Sequence, residues 1–272
     1  MDDIIMVGAN QSKTKMIVTD LDNTLLRRDK TVSDYTSSVF KRCSDAGIKV
    51  VFATARPVRA VKWLEHMNIN YDAGAFHNGA VIHIGGEPYK EFGIEYDKMY
   101  KLLKSASKIK DMKISAEIND VLYANFDTST VWQGVECVMT DFNDLPNRCA
   151  DKIIFGTADE SMINIIEQLL GDDLYWEISD NEILMVMNKN ARKINAVKEI
   201  ADHYGFTLAE TVAFGDDYND MEMLRDCGIG VAVANAIDEC KAVSKYICDD
   251  CDEDGVAKWL EEILFIDNNC CG

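Results

Sequence analysis

Met16-Ile17-Val18-Thr19-Asp20-Leu21-Asp22-Asn23-Thr24 is the stretch on which the fold turns. The apolar run Met16-Ile17-Val18 predicts a short buried strand. Asp20 and Asp22, two residues apart at its end, can point into one space. Two anions that close repel each other unless a cation lies between them or one holds a proton. A metal, an acid/base task or both would explain the pair; an acidic surface turn is the bland alternative.

Outward from this point, strand and helix patterns alternate. An apolar run at 48–53 follows a helical stretch near 33–46 that ends at Gly47. A second helix is expected after Pro57, a helix-start residue, and a strand–turn region at 71–84. Toward the other end the reading is helix 192–204, strand 211–214, helix 219–226, strand 229–233, helix 235–243, strand 245–248 and helix 255–264. Such alternation implies a parallel sheet with helices on both faces. The middle reads differently: helix 95–110, strands 113–118, 121–126 and 151–155, helix 159–170, then strands 174–179 and 182–187. The expectation is an α/β protein: a Rossmann-like parallel-sheet core, 1–85 and 189–272, with an inserted α+β domain at 86–188.

Bulk properties narrow the function. At 272 residues and 47% hydrophobic, the chain can bury a sizeable core. No apolar run reaches the roughly 20 residues that span a bilayer, and the N-terminus lacks the basic leader and apolar stretch of a secretory signal. Residues 1–14 read as a short extension without legible chemistry. A net charge of −19 argues against nucleic acid and anionic membranes as partners. Nine cysteines, an odd number, suggest reduced thiols in a cytoplasm; Cys43 and Cys227 fall in helical patterns, and Cys270-Cys271 reads as an exposed tail. Oligomeric state leaves no trace in the sequence.

Four separated pieces fall at or near the C-terminal ends of expected core strands, the edge where open parallel sheets bind ligands. These are Asp20/Asp22; Thr54-Ala55-Arg56; Lys193, within Lys189-Asn190-Ala191-Arg192-Lys193; and Gly215-Asp216-Asp217-Tyr218-Asn219-Asp220. A threonine hydroxyl with the following backbone N–H groups makes an anion seat. Each piece alone has an ordinary reading: a helix cap, a solvated lysine, an acidic turn.

Together, in this order, they resemble the haloacid dehalogenase superfamily of phosphotransferases, in particular its Cof-like branch. The resemblance covers nearly the whole chain, including the Asn78-Gly79-Ala80 turn and Asp252-Glu253-Asp254-Gly255-Val256-Ala257. Ala55, Asn23 and Ile194 stand where the family often has glycine, and none of these removes a reacting group. The insert lies where this branch carries its cap, and a cap of that size implies small substrates rather than phosphoproteins.

The resemblance implies that Asp20 attacks phosphorus to form an aspartyl-phosphate and that Asp22 serves as acid and base. It implies Mg²⁺ held by Asp20, the Asp22 carbonyl and Asp216, with Asp217 or Asp220 acting through water. Thr54, the N–H groups of Leu21 and Ala55, Lys193 and Asn219 would hold the phosphoryl oxygens, offsetting the chain's acidity locally. Arg56, His77 and Asn78 are candidates for the substrate side. The implied activity is hydrolysis of a small phosphorylated metabolite, a sugar phosphate above others. A phosphosugar mutase and a non-catalytic phosphosugar sensor are the rival readings.

Lookalikes remain. Asp250-x-Asp252-x-Asp254-Gly255-(five residues)-Glu261 matches a calcium-loop pattern, but Ser244-Lys245-Tyr246-Ile247-Cys248 before it reads as a strand where a helix should enter. Cys248-x-x-Cys251 lacks the second ligand pair of a zinc site. His66, His83 and His203 show no metal spacing. Trp132, Trp176 and Tyr123 in the insert read as its core or as sugar contacts. No P-loop or G-x-G-x-x-G is present.

Overall fold

The computed structural model describes residues 14–67, 69–132, 134–156, 160–179 and 183–265. The expected extension at 1–14, apart from Thr14, and the Cys270-Cys271 tail lie outside the described residues. The chain divides into two compact units, Met1–Tyr89 with Arg192–Gly272, and Lys90–Ala191.

The first unit opens with β1 (Met16–Thr19), α1 (Asp34–Asp45), β2 (Lys49–Ala53), β3 (Ala73–Phe76), β4 (Val81–Ile84) and β5 (Glu87–Glu91). The inserted unit holds α2 (Tyr96–Ala106), β6 (Ile114–Ile118), β7 (Val121–Ala124), β8 (Val138–Met139), β9 (Lys152–Phe155), α3 (Glu160–Leu169), β10 (Leu174–Ser179) and β11 (Ile183–Asn188). The chain then returns with α4 (Lys193–Tyr204), β12 (Thr211–Gly215), α5 (Met221–Asp226), β13 (Ile229–Val233), α6 (Asp238–Val243), β14 (Tyr246–Cys248) and α7 (Gly255–Phe265).

The first sheet runs β14-β13-β12-β1-β2-β3-β4-β5. It is parallel from β14 to β3, and β4 returns antiparallel to β3. Val18 of β1 is in register with Ala213 on one side and Val51 on the other. From β1 the chain moves outward one way to β2, and it comes back on the other side at β12. That reversal opens a crevice beyond the carboxyl ends of the strands, where such sheets bind ligands. β1 is fully buried on both faces, as a central parallel strand should be. Phe40, Phe52 and Phe214, none more than 1% exposed, contribute about 1.5–3 kcal/mol each by leaving water. α1 begins at Ser33, whose hydroxyl accepts the Thr36 N–H, and is followed by Gly47 at φ 82°.

Two expectations are refined. The helix expected after Pro57 is present as a 3₁₀-helix over Val58–Met67. Val58, Val61 and Leu64, the residues it packs on the core, recur every third position, which matches the 3₁₀ repeat. Glu87–Glu91, placed in the insert with no element assigned, adds as the edge strand of the first sheet, and the unit division falls after Tyr89 rather than after residue 85. This strand is exposed along its whole length and carries no apolar alternation to betray it.

The inserted unit has its own sheet, in the order β10-β11-β9-β6-β7-β8. Ile114, Ala116 and Ile118 of β6, Ile153 and Phe155 of β9, and Leu184 and Val186 of β11 face a cluster with Met99, Leu102 and Leu103 of α2 and Ile166 of α3. Tyr123 and Trp176 pack against that cluster, so both are core residues of this unit. No helix among the described residues is long and apolar enough to cross a membrane.

Asp151, 4% exposed, lies immediately before β9. Burial, then repulsion from Glu117, Glu91 and Asp120, pushes its carboxyl up to about 7 from 3.8, against the pull of Lys152. Its folded value lies above its unfolded one. The stability it contributes is therefore full below about 3.8 and lost as pH rises through about 7. Asp151→Asn should flatten the fall in melting temperature over this interval; an unchanged slope in that variant would refute the linkage.

Candidate active site

β1 hands Asp20 to the crevice, and its backbone N–H donates to the Phe214 carbonyl of β12 at 3.0 Å. Asp20 is 6% exposed. Lys193, the first residue of α4 and 2% exposed, donates from Nζ to Asp20 Oδ1 at 2.8 Å and to Asp220 Oδ1 at 2.7 Å. The second oxygen of Asp220 accepts the N–H groups of Asp216 and Asp217 at 3.0 and 3.2 Å. This turn requires Gly215, because a Cβ there would lie 2.4 Å from that of Asp220. Asp216 Oδ1 accepts the Thr24 hydroxyl at 2.7 Å.

Carboxylate oxygens of Asp20, Asp216 and Asp220 lie within 4.8 Å of one another, facing one ammonium. Burial, reinforced by Asp220 and Asp216, pushes Asp20 up to about 8, although Lys193 opposes this. Burial and Asp220 push Asp216 up to about 7, against the Thr24 hydrogen bond. Burial works against charge on Lys193 too, yet Asp20 and Asp220 outweigh it and hold the lysine above its usual range. The cluster thus carries more negative charge than one lysine offsets. Its donors are all hard oxygens, which fit a small divalent cation such as Mg²⁺.

Asp22 has a different environment. Arg56 Nε and Nη2 grip both its oxygens at 2.6 Å, and Lys30 Nζ lies at 2.8 Å. Burial works the other way, but the hydrogen bonds from Arg56 and Lys30 hold the Asp22 carboxyl below the usual carboxylate range. Thr54, at the end of β2 and 1% exposed, accepts the Arg56 N–H on Oγ1 at 3.1 Å, and its carbonyl accepts the Asn78 N–H at 2.9 Å. His77 is 1% exposed and donates its N–H to the Arg56 carbonyl at 3.0 Å. Asn78 Oδ1 accepts Asn219 Nδ2 at 3.0 Å, which links the Thr54 loop to the Gly215 loop. Gly79, at φ 96°, leaves room for the Arg192 carbonyl, which a Cβ would approach to 2.5 Å, so this turn abuts the residue before Lys193.

Asp20, Lys193, Asp216 and Asp220 thus come together, as do Thr54, Asn78 and Asn219. Asp217 stays outside: it is exposed, and its Oδ1 caps its own turn through the Tyr218 N–H. Leu21 is buried in the core of the first unit, and Ala55 follows Thr54 in the loop. Lys30 and the Thr24–Asp216 bond were not singled out from the sequence. The threonine belongs to the quoted motif, but Lys30 stands among exposed polar residues and gives no signal.

The calcium-loop lookalike is engaged by cations of the chain itself. Arg28 pairs with Asp250 and Asp252, Arg27 with Asp254 at 2.9 Å, and Arg42 with Glu261. Cys248 and Cys251 are buried free thiols, and Cys43 and Cys227 are likewise buried.

A two-unit α/β fold with a buried aspartate–lysine–aspartate cluster at its strand reversal defines a phosphotransferase-type hydrolase. Residues 17–260 match the family model of haloacid dehalogenase-like hydrolases, and the chain belongs to that family, as an enzyme of its phosphatase class. It is 26% identical over 266 residues to a 5-amino-6-(5-phospho-D-ribitylamino)uracil phosphatase of Bacillus subtilis, covering 93% of this chain and 98% of the relative. It is 26% identical over 258 residues to an HMP-PP phosphatase of Yersinia pestis, covering 90% and 93%. A phosphatase of the haloalkanoate enzyme superfamily from Bacteroides thetaiotaomicron shares the fold with a TM-score of 0.79 at 25% identity, over 92% of this chain and 95% of that one.

Removing the lysine leaves its carboxylates buried together without a counterion. Lys193→Met is expected to cost about 3 kcal/mol of unfolding free energy, read from urea midpoints in the absence of divalent metal. A midpoint equal to that of the wild type would mean that the pair is not formed.

Proposed function

We propose that this chain is a Mg²⁺-dependent phosphatase of a small phosphorylated metabolite, most simply a sugar phosphate, working in the cytoplasm. The observation that carries this reading is the buried Asp20 hydrogen-bonded to Lys193 beside Asp216 and Asp220. The seven described cysteines are all free, in keeping with a reducing compartment. Two relatives are named for phosphorylated small molecules.

Asp20 attacks phosphorus in line. The phosphorus–oxygen bond to the leaving group breaks, and Asp22 gives that oxygen a proton. Water then attacks the aspartyl-phosphate, returning a proton to Asp22 and freeing Asp20. Lys193, Thr54, Asn219 and the N–H groups of Leu21 and Ala55 bind the phosphoryl oxygens. Asp20, Asp216 and the Asp22 carbonyl would hold Mg²⁺, with Asp220 through water; when bound, the ion supplies the positive charge that the carboxylate cluster lacks.

Arg56 keeps Asp22 charged, so Asp22 takes up a proton only after that grip loosens. An anionic substrate competes for the guanidinium and loosens it, which gives Arg56, with His77 and Asn78 beside it, a substrate-side role.

Phosphate release from p-nitrophenyl phosphate tests the reading. Activity is expected to need Mg²⁺, to vanish with EDTA and to return when metal is restored. Asp20→Asn should fall to background, and Lys193→Ala should lose about 10²–10³-fold in kcat. Near-normal phosphate release by the Asp20→Asn protein would sink the assignment.

A further inference from the structure

Lys30 and Arg56 both act on Asp22, but not on the same atoms. Arg56 Nε binds Oδ2 and Arg56 Nη2 binds Oδ1, each at 2.6 Å. Lys30 Nζ binds Oδ1 at 2.8 Å. A short turn delivers the lysine. Its N–H donates to the Arg27 carbonyl at 2.8 Å, and the Arg27 N–H donates to the Thr31 carbonyl at 3.0 Å. Asp29 Oδ1 accepts the Thr31 N–H at 2.9 Å. Lys30 itself sits at φ 65°, a conformation that disfavours any residue with a Cβ. The turn is also tied from outside, by Arg27 to Asp254 and by Arg28 to Asp250 and Asp252.

Stability does not account for this arrangement. The Lys30 side chain is 47% exposed, and such ion pairs contribute little to folding. The pairing of atoms does account for it. An ammonium only donates, so it favours the carboxyl oxygen that carries no proton. When the substrate draws Arg56 off Asp22, Oδ2 is vacated while Lys30 stays on Oδ1. A proton on Asp22 then lies on Oδ2, and one fixed contact still orients the carboxyl group. As Asp20 bonds to phosphorus, the bond from phosphorus to the leaving oxygen breaks and its electron pair stays on that oxygen. The Oδ2 proton passes to the same oxygen, and Asp22 is left as a carboxylate.

We propose that Lys30 is a positioning residue for the proton donor: from the turn 27–31 it holds Oδ1 of Asp22, which leaves Oδ2 to carry the proton to the leaving oxygen. The inference rests on the phosphatase reading above and adds to it a residue that lies outside the four motif pieces.

Phenyl phosphate and p-nitrophenyl phosphate test it. They are close in shape, but phenolate needs a proton to depart far more than nitrophenolate does. For each ester kcat/KM is measured with Mg²⁺ on one preparation of the full chain, so the ratio of the two is independent of the active fraction. Lys30→Gly is the variant, since glycine is at ease at this φ and keeps the turn. It is expected to lower kcat/KM about 10-fold for phenyl phosphate and less than about 2-fold for p-nitrophenyl phosphate. Lys30→Arg restores a charged donor and should bring the ratio back to within about 3-fold of the wild type. On an Asp22→Asn background Lys30→Gly should leave the ratio unchanged, because the lysine acts through Asp22. Equal losses for both esters, no loss, a ratio that arginine does not recover, or a further change on the Asp22→Asn background overturns the inference. Failure of the phosphatase reading looks different: the wild type turns over neither ester, and the inference falls with it. If the wild type turns over both and Lys30→Gly keeps the wild-type ratio, the inference alone fails.

Discussion

One ammonium between two buried carboxylates governs the crevice of this protein. Lys193 spans Asp20 and Asp220 with its side chain out of water, and each partner arrives from a different segment. Burying ions is expensive, and their attraction repays it only when the geometry is good and the remaining lone pairs are satisfied. Asp220 meets that condition through the backbone N–H groups of the Gly215 loop. Asp20 and Asp216 do not, and both bind a proton more tightly than ordinary aspartates. The imbalance is what a cation, metallic or otherwise, can relieve.

The rest of the first unit holds this arrangement in place. β1 fixes the Asp20 backbone against β12, and the strands on either side of β1 diverge in sequence order, so the crevice opens at its end. The Asn78–Asn219 bond joins the Thr54 loop to the Gly215 loop. Asp22 is kept apart from the cluster by Arg56 and Lys30. Two aspartates two residues apart therefore differ sharply: one is pushed toward the neutral form, the other is held charged. Environments that separate the proton affinities of neighbouring groups are the usual basis for dividing acid, base and nucleophile roles.

Much of this was legible in the sequence, for a physical reason. The strands of a parallel sheet are buried on both faces, so Met16-Ile17-Val18 and Thr211-Val212-Ala213-Phe214 stand out as unbroken apolar runs, and polar residues at their ends are conspicuous. The Asp22–Arg56 and Asp22–Lys30 pairs were not legible, because ion pairs leave no spacing rule across a loop. The edge strand Glu87–Glu91 was hidden because an exposed edge needs no apolar face. The segment after Pro57 was legible as a helix but not as a 3₁₀-helix, because its apolar spacing of three satisfies both patterns over a few turns.

The separation between Asp20 and Lys193, 173 positions, has a consequence for biogenesis. During synthesis β1 emerges early and pairs with β2, but its other edge stays open until β12 leaves the ribosome. Until then the first segment exposes a flat apolar strand edge, a template for mispairing between nascent chains. The inserted unit emerges in the interval with a hydrophobic cluster of its own, so it can compact before its host. Production of this protein should therefore depend on translation speed and chaperone supply more than its final stability would suggest.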